Sequence, residues 1–157
     1  MAIAVEIAPG NFFPGYRDTS LLSSSQIKEL ERYHEDQKRG RKSEMRAAAV
    51  IQGQDTVEEV IRNEQFSDED IRGRDLTVHL VTGDIVWVQV KSSQTGVSEF
   101  IKQIGNRLSK TGIHVPVREW LASQRLILLD GSRSRNDITK NFNNQLRRIQ
   151  RDYPSAA

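Results

Sequence analysis

Two runs of alternating apolar and polar residues, separated by a single turn, constrain this chain more than any other stretch. They read Asp75-Leu-Thr-Val-His-Leu-Val-Thr-Gly-Asp-Ile-Val-Trp-Val-Gln-Val-Lys91. Leu76, Val78 and Leu80 alternate with Asp75, Thr77 and His79, while Val86, Val88 and Val90 alternate with Ile85, Trp87, Gln89 and Lys91. A period of two predicts paired strands sharing one buried face, with Thr82-Gly83-Asp84 as the turn. Register decides which side chains meet, because a slip of one residue turns every one of them over. A three-residue loop at 82–84 pairs Val81 with Ile85 and sets Asp75 opposite Lys91, gathering Asp75, Gln89 and Lys91 on the polar face. A two-residue loop separates them. The odd loop is expected, since only it makes chemical sense of the polar residues.

That chemistry is specific in kind. Carboxylate and carboxamide oxygens can hold a hard divalent cation, and such a cation neutralises phosphate oxygens and acidifies water. A lysine beside it adds positive charge where negative charge develops. Asp75, Gln89 and Lys91 therefore suit phosphodiester hydrolysis.

Around this hairpin the pattern is helical. Ser25 is a plausible N-cap for a helix through Ile27, Leu30 and Tyr33. Lys38-Arg39-Gly40-Arg41-Lys42 is either a break or a weak point within a longer helix, and a stretch from Ser43 to about Gln52 places Glu44, Ala47, Ala48 and Ile51 on one side. Residues 55–66 suit a helix or a strand, and Phe66–Asp70 reads as a loop. After the hairpin, Val97, Phe100, Ile101, Ile104 and Leu108 form the stripe of an amphipathic helix that Thr111-Gly112 ends. Residues 113–123 read as a connector, 125–130 as a buried strand bounded by Gly131, and 136–152 as a final helix. Its Ile138, Phe142, Leu146 and Ile149 point inward, and Lys140, Asn144, Arg147, Arg148 and Arg151 outward. Residues 1–22 are expected to be an irregular arm with room for a short strand at 3–7, 23–131 the core and 132–157 a basic C-terminal helix, all in one domain. The fold class is α/β (α+β), a central mixed β-sheet flanked by helices.

Composition removes other chemistries. There is no cysteine among the 157 residues, which excludes disulfides and thiolate sites. His34, His79 and His114 lack metal-ligand spacing. No run approaches a membrane span, and the start lacks the basic and apolar regions of a secretory signal, favouring a cytoplasmic protein. The net charge is +2, but basic residues cluster in 38–46 and 133–151. They are read either as a nucleic-acid face or as solvated helix surface.

Glu44 on a helix, Asp75 opening a strand and Gln89-Val90-Lys91 ending the next resemble the PD-(D/E)xK nuclease superfamily over roughly residues 43–131. Restriction enzymes, Holliday-junction resolvases, some homing endonucleases and nuclease toxins of contact-dependent inhibition systems belong to it. The resemblance implies a restriction endonuclease-like core and metal-dependent cutting of nucleic acid, double-stranded DNA first, with Mg²⁺ (or Mn²⁺) as cofactor. It implies catalytic roles for Glu44, Asp75, Gln89 and Lys91, with metal held by Asp75, the Val90 carbonyl, Gln89 and Glu44. Arg74 replaces a proline of no chemical role. Gln89 replaces a carboxylate, which lowers the expected metal affinity. Cutting both strands implies a dimer or higher homo-oligomer.

Each residue also has a plainer role. Asp75 can end a strand, Lys91 can guard a sheet edge, Glu44 can be a helix charge, and Asp84 a turn residue. His79 shares the polar face. Ser92 and Ser93, and with less force Gln94, are candidates for phosphate contact beside Lys91, as are Lys140, Arg147 and Arg148 on the last helix. Two further readings stand beside the DNA enzyme. One is a toxin domain that cleaves tRNA or DNA and is held by an immunity protein. The other is a catalytically inactive nuclease fold that only binds.

Overall fold

The computed structural model describes residues 22–63 and 73–155, together with the backbone of two strands at 2–8 and 11–16. In chain order these are β1 (Ala2–Ala8), β2 (Asn11–Tyr16), α1 (Ser24–Gln52), β3 (Val57–Arg62), β4 (Leu76–Leu80), β5 (Ile85–Lys91), α2 (Gln94–Lys110), α3 (Val117–Ser123), β6 (Leu126–Asp130) and α4 (Arg135–Asp152). The architecture is mixed α/β: a four-stranded sheet in the order β3-β4-β5-β6 with helices on both faces. Its first three strands run antiparallel to one another, and β5 and β6 pair in parallel across the α2–α3 crossover.

Within the expected arm the short strand at 3–7 lies inside β1, which pairs antiparallel with a second strand, β2, Val5 opposite Phe13 and Ala4 opposite Pro14. Pro14 and Gly15 hid β2, yet both strands of a two-stranded ribbon are edges, where proline is tolerated. The expected loop at Phe66–Asp70 lies outside the described residues.

α1 runs unbroken through 38–42. Arginine and lysine are good helix formers, and a Cβ on Gly40 would meet nothing within 4 Å. Its cap is Ser23 rather than Ser25. The Ser23 hydroxyl accepts the Gln26 N–H at 3.2 Å, and Gln26 Oε1 accepts the Ser23 N–H at 2.8 Å. Such a reciprocal box needs Glu or Gln three residues on, and three residues after Ser25 stands Lys28. Only the end of α1 is buried, through Ser43, Ala47, Val50 and Ile51.

Residues 57–62 form β3, an edge strand whose Ile61 is exposed. One-sided burial at an edge explains the ambiguous period. The Gln52 carboxamide covers this edge, donating to the Glu58 carbonyl at 3.1 Å and accepting the Val60 N–H at 2.8 Å.

The β4–β5 loop is odd, as expected, but shifted. His79 pairs with Ile85 and Leu76 with Val88. The Leu80 N–H donates to the Asp84 carbonyl and the Gly83 N–H to the Leu80 carbonyl, both at 2.9 Å. The loop is therefore Val81-Thr82-Gly83, with Gly83 at φ +91°, a left-handed turn residue that glycine adopts without cost. Shifting the pairing by two residues preserves the faces but brings Asp75 opposite Gln89 rather than Lys91.

One face of the sheet packs against α1 and α4. Leu76, Val78, Leu80, Val86, Val88, Val90, Ile127 and Leu129 meet Ala47, Ile51, Ile138, Phe142, Leu146 and Ile149 there. The other face carries a smaller cluster of Leu126 and Leu128 with Val97 of α2 and Leu121 of α3. β6 is buried on both faces, which is why it reads as a continuous apolar run. The connector after α2 contains α3, starting just past Pro116, a residue suited to the first turn of a helix.

Candidate functional site

The α2–α3 face of the sheet does not close over its polar residues. Asp75, Gln89 and Lys91 line a cleft of about 440 Å³, together with Gly73 and Arg74 before β4, Phe100, Gln103, Ile104 and Arg107 on α2, Trp120 and Gln124 of the α3 segment, and Leu126.

The end of the β4–β5 ladder builds the site. Continued past Leu76–Val88, the pairing would bond the Val90 N–H to the Arg74 carbonyl. That carbonyl instead accepts the Asn63 side-chain amide, and the Val90 N–H donates to Asp75 Oδ2 at 2.8 Å. Asp75 thus does end the strand, and its buried carboxylate is fixed against β5 by the same bond. Gln89 is also buried, and its Oε1 has no hydrogen-bond partner among the described residues. An unpaired buried acceptor costs about 1–3 kcal/mol, a cost tolerated where a ligand can satisfy it.

Two glycines keep the approach open. Gly73 has φ +78°, and a Cβ there would meet Gln89 Oε1 at 3.1 Å and the Phe100 ring at 3.6 Å. Gly96, in the first turn of α2, lets that helix close on Lys91, whose Cβ would lie 3.3 Å from an added Cβ. Lys91 Nζ stands 5.0 Å from the Phe100 ring centre, and the Arg74 guanidinium 3.9 Å from that of Trp87. Such cation–π contacts hold charged groups in place. Among the described residues, Arg74, Lys91 and Arg107 against Asp75 give the cleft lining a positive excess.

No protein-family model, curated protein or solved structure matches the chain.

The other residues singled out from sequence are placed differently. Glu44 lines a separate hollow with Gly40, Arg41, Arg62 and Asn63, and its carboxylate pairs with Arg62 at 3.4 Å. Its neighbour Ser43 packs on Gly131 and Val90, so α1 crosses the same end of the sheet without bringing Glu44 into the cleft lining. The Val90 side chain belongs to the main core, and its backbone faces β4, as its bond to Asp75 shows. Ser93 caps α2, its hydroxyl accepting the Gly96 N–H at 3.0 Å, and Ser92 is half-buried beside Lys91. Gln94 accepts from Arg133 at 3.4 Å. On α4, Lys140 is exposed, Arg147 donates to Asn144 at 2.6 Å and Arg148 lies 4.0 Å from Asp152. None of these three lines the cleft. His79 shares the polar face but also lies outside the cleft lining. Asp84 serves the turn, paired with Arg125 at 3.7 Å and accepting a hydrogen bond from Ser155.

Sequence reasoning did not single out Arg74, Gln103, Arg107, Trp120 or Gln124. A signal existed for one pair: Gln103 and Arg107 stand one helical turn apart on the flank of the α2 apolar stripe.

Among the described residues no three His, Asp or Glu side chains gather as a metal cluster. The donors the cleft offers a cation are the Asp75 carboxylate and Gln89 Oε1. Both are oxygens suited to Mg²⁺, which keeps several waters and uses few protein ligands. The orphaned Gln89 oxygen fits such an ion.

Proposed function

We propose that the chain is a Mg²⁺-dependent endonuclease that hydrolyses phosphodiester bonds in DNA. The observation that carries this reading is the meeting of Asp75, the unpaired Gln89 Oε1 and Lys91 in one positively biased cleft. The order helix, three antiparallel strands, helix, parallel strand supports the restriction endonuclease-like core that the sequence resembles.

Asp75 and Gln89 would hold the ion, which when bound neutralises phosphate charge and acidifies water. Asp75 is pre-positioned for this by the Val90 N–H and loses little freedom on binding. Lys91, held over Phe100, donates to a non-bridging phosphate oxygen and stabilises the charge that builds up there as phosphorus is attacked. Arg74 and Arg107 bind flanking phosphates and fix the strand's direction. Glu44 is left to orient Arg62. Cutting both strands with one cleft per chain requires two copies.

A second reading is favoured by one feature: Asp75 is the only carboxylate lining the cleft among the described residues. A module that binds nucleic acid without cutting it would need no more.

Plasmid, linear DNA and tRNA incubated with Mg²⁺, Mn²⁺ or EDTA test the proposal. DNA cleavage by the wild type that requires the metal and disappears in Asp75→Asn is expected. Cleavage persisting in EDTA or in the variant contradicts it, and tight DNA binding without cleavage favours the second reading.

A further inference from the structure

Part of the cleft lining has chemistry that phosphate hydrolysis does not call for. Trp120 and Gln124, one turn apart in the α3 segment, and Gln103 and Arg107, one turn apart on α2, line the same cleft. The two helices meet at Gly105 and Val117, whose Cγ2 would lie in ordinary contact, 3.4 Å, with a Cβ added at Gly105. Trp120 is half-buried, its ring packed on the Leu126–Leu128 cluster yet part of the cleft wall. Gln103, Arg107 and Gln124 are exposed.

We infer that this part of the cleft takes one unpaired nucleobase adjoining the phosphate at Lys91, so that the substrate is a DNA strand with a base outside the stack. An aromatic ring offers any base a stacking surface. Carboxamides offer a donor and an acceptor to a base edge, and base edges are fully exposed only when unpaired. Arg107 is placed for the next phosphate. The volume, about 440 Å³, falls in the range of about 300–1,000 Å³ typical of small-ligand sites. It suits one nucleotide. This inference rests on the nuclease reading for its choice of DNA, and it refines the expected duplex to overhangs, junctions or single strands.

The test is binding in EDTA, where no metal-dependent cleavage occurs. Labelled single-stranded DNA, an overhanging duplex and a blunt duplex are titrated and followed by fluorescence anisotropy. The wild type is expected to bind the first two about tenfold more tightly than the blunt duplex. Trp120→Ala is expected to lose about tenfold on single strand, while Trp120→Phe retains most of the affinity. Equal wild-type affinity for all three DNAs, or unchanged binding by Trp120→Ala, overturns the inference. If Trp120→Ala fails to fold, the exposed pair Gln103→Ala with Gln124→Ala serves: single-strand binding should weaken at least about threefold, and no change overturns the proposal. The chain has two tryptophans, so Trp87→Phe leaves Trp120 as sole emitter. Its emission should be quenched by single strand and not by blunt duplex; the reverse contradicts base stacking. Absent cleavage with these binding results sinks the hydrolytic reading alone. Metal-dependent cleavage with no Trp120 effect sinks the base site alone.

Discussion

On the side covered by α1 and α4, the sheet presents Leu76, Val78, Val86, Val88, Ile127 and Leu129, met by Phe142, Ile138 and Ile51, with little space between. On the other side the same strands carry Asp75, Gln89 and Lys91, and α2 and α3 cover β6 and part of β5, leaving the cleft. Since side chains alternate across a strand, one stretch of chain builds both. The comparison teaches a division of labour. The closed face supplies stability, and this lets the open face keep two costly features, a buried acceptor with no partner and a carboxylate drawn into the ladder.

Four substitutions test how separate the faces are. Phe142→Ala removes the largest fully buried side chain among the described residues and should cost about 3–5 kcal/mol by denaturant unfolding. A loss below about 1 kcal/mol would mean the α1–α4 side does not carry the fold. Lys91→Ala should reduce DNA cleavage about a hundredfold with a melting temperature near that of the wild type. A large drop in melting temperature would make Lys91 structural and blur the division.

Gly131 ties the closed face to Lys91, its N–H donating to the Lys91 carbonyl at 2.7 Å. An added Cβ would lie 2.8 Å from Ser43 Cβ and 2.9 Å from both the Ser43 carbonyl oxygen and Val90 Cγ1. Two of those atoms belong to side chains in a packed region and the third to helical backbone, so α1 must shift. Gly131→Ala should therefore cost about 1–3 kcal/mol, and by displacing β5 it should lower cleavage as well. Stability lost without any change in cleavage would separate the two faces more sharply than proposed. The smallest effect has the opposite sign: Gln89→Leu removes the unpaired acceptor and should stabilise the fold by about 1 kcal/mol while weakening metal-dependent cleavage. Destabilisation would show that Gln89 is held by the protein itself.

Much of this was legible in the sequence, for reasons tied to particular residues. The period of two in 75–91 gave both strands, and the odd loop chosen on chemical grounds put Asp75, Gln89 and Lys91 on one face. The exact partners were not legible, because loops 81–83 and 82–84 preserve the same alternation and only the φ of Gly83 distinguishes them. The stripes of α2 and α4 were clear, since each buries one face. β3 was ambiguous because an edge strand shows only part of the pattern, and β2 because Pro14 and Gly15 resemble loop chemistry. The site was half visible. Strand residues could be assigned to a common face only once an odd loop was chosen, and Trp120 and Gln124 reach the cleft through the packing of α3 against α2, a tertiary contact with no local signal. Glu44 shows the converse. Its place near the end of the sheet was foreseeable, but the pull of Arg62 on its carboxylate was not.

The claim that Asp75 and Gln89 together form a cation site is tested most directly by calorimetric titration of Mn²⁺ into the wild type, Asp75→Asn and Gln89→Glu. The wild type should bind weakly and Asp75→Asn not at all. Gln89→Glu should bind about tenfold or more tightly than the wild type, because a second carboxylate adds the charge that the carboxamide lacks. Identical titrations for all three proteins would contradict the account.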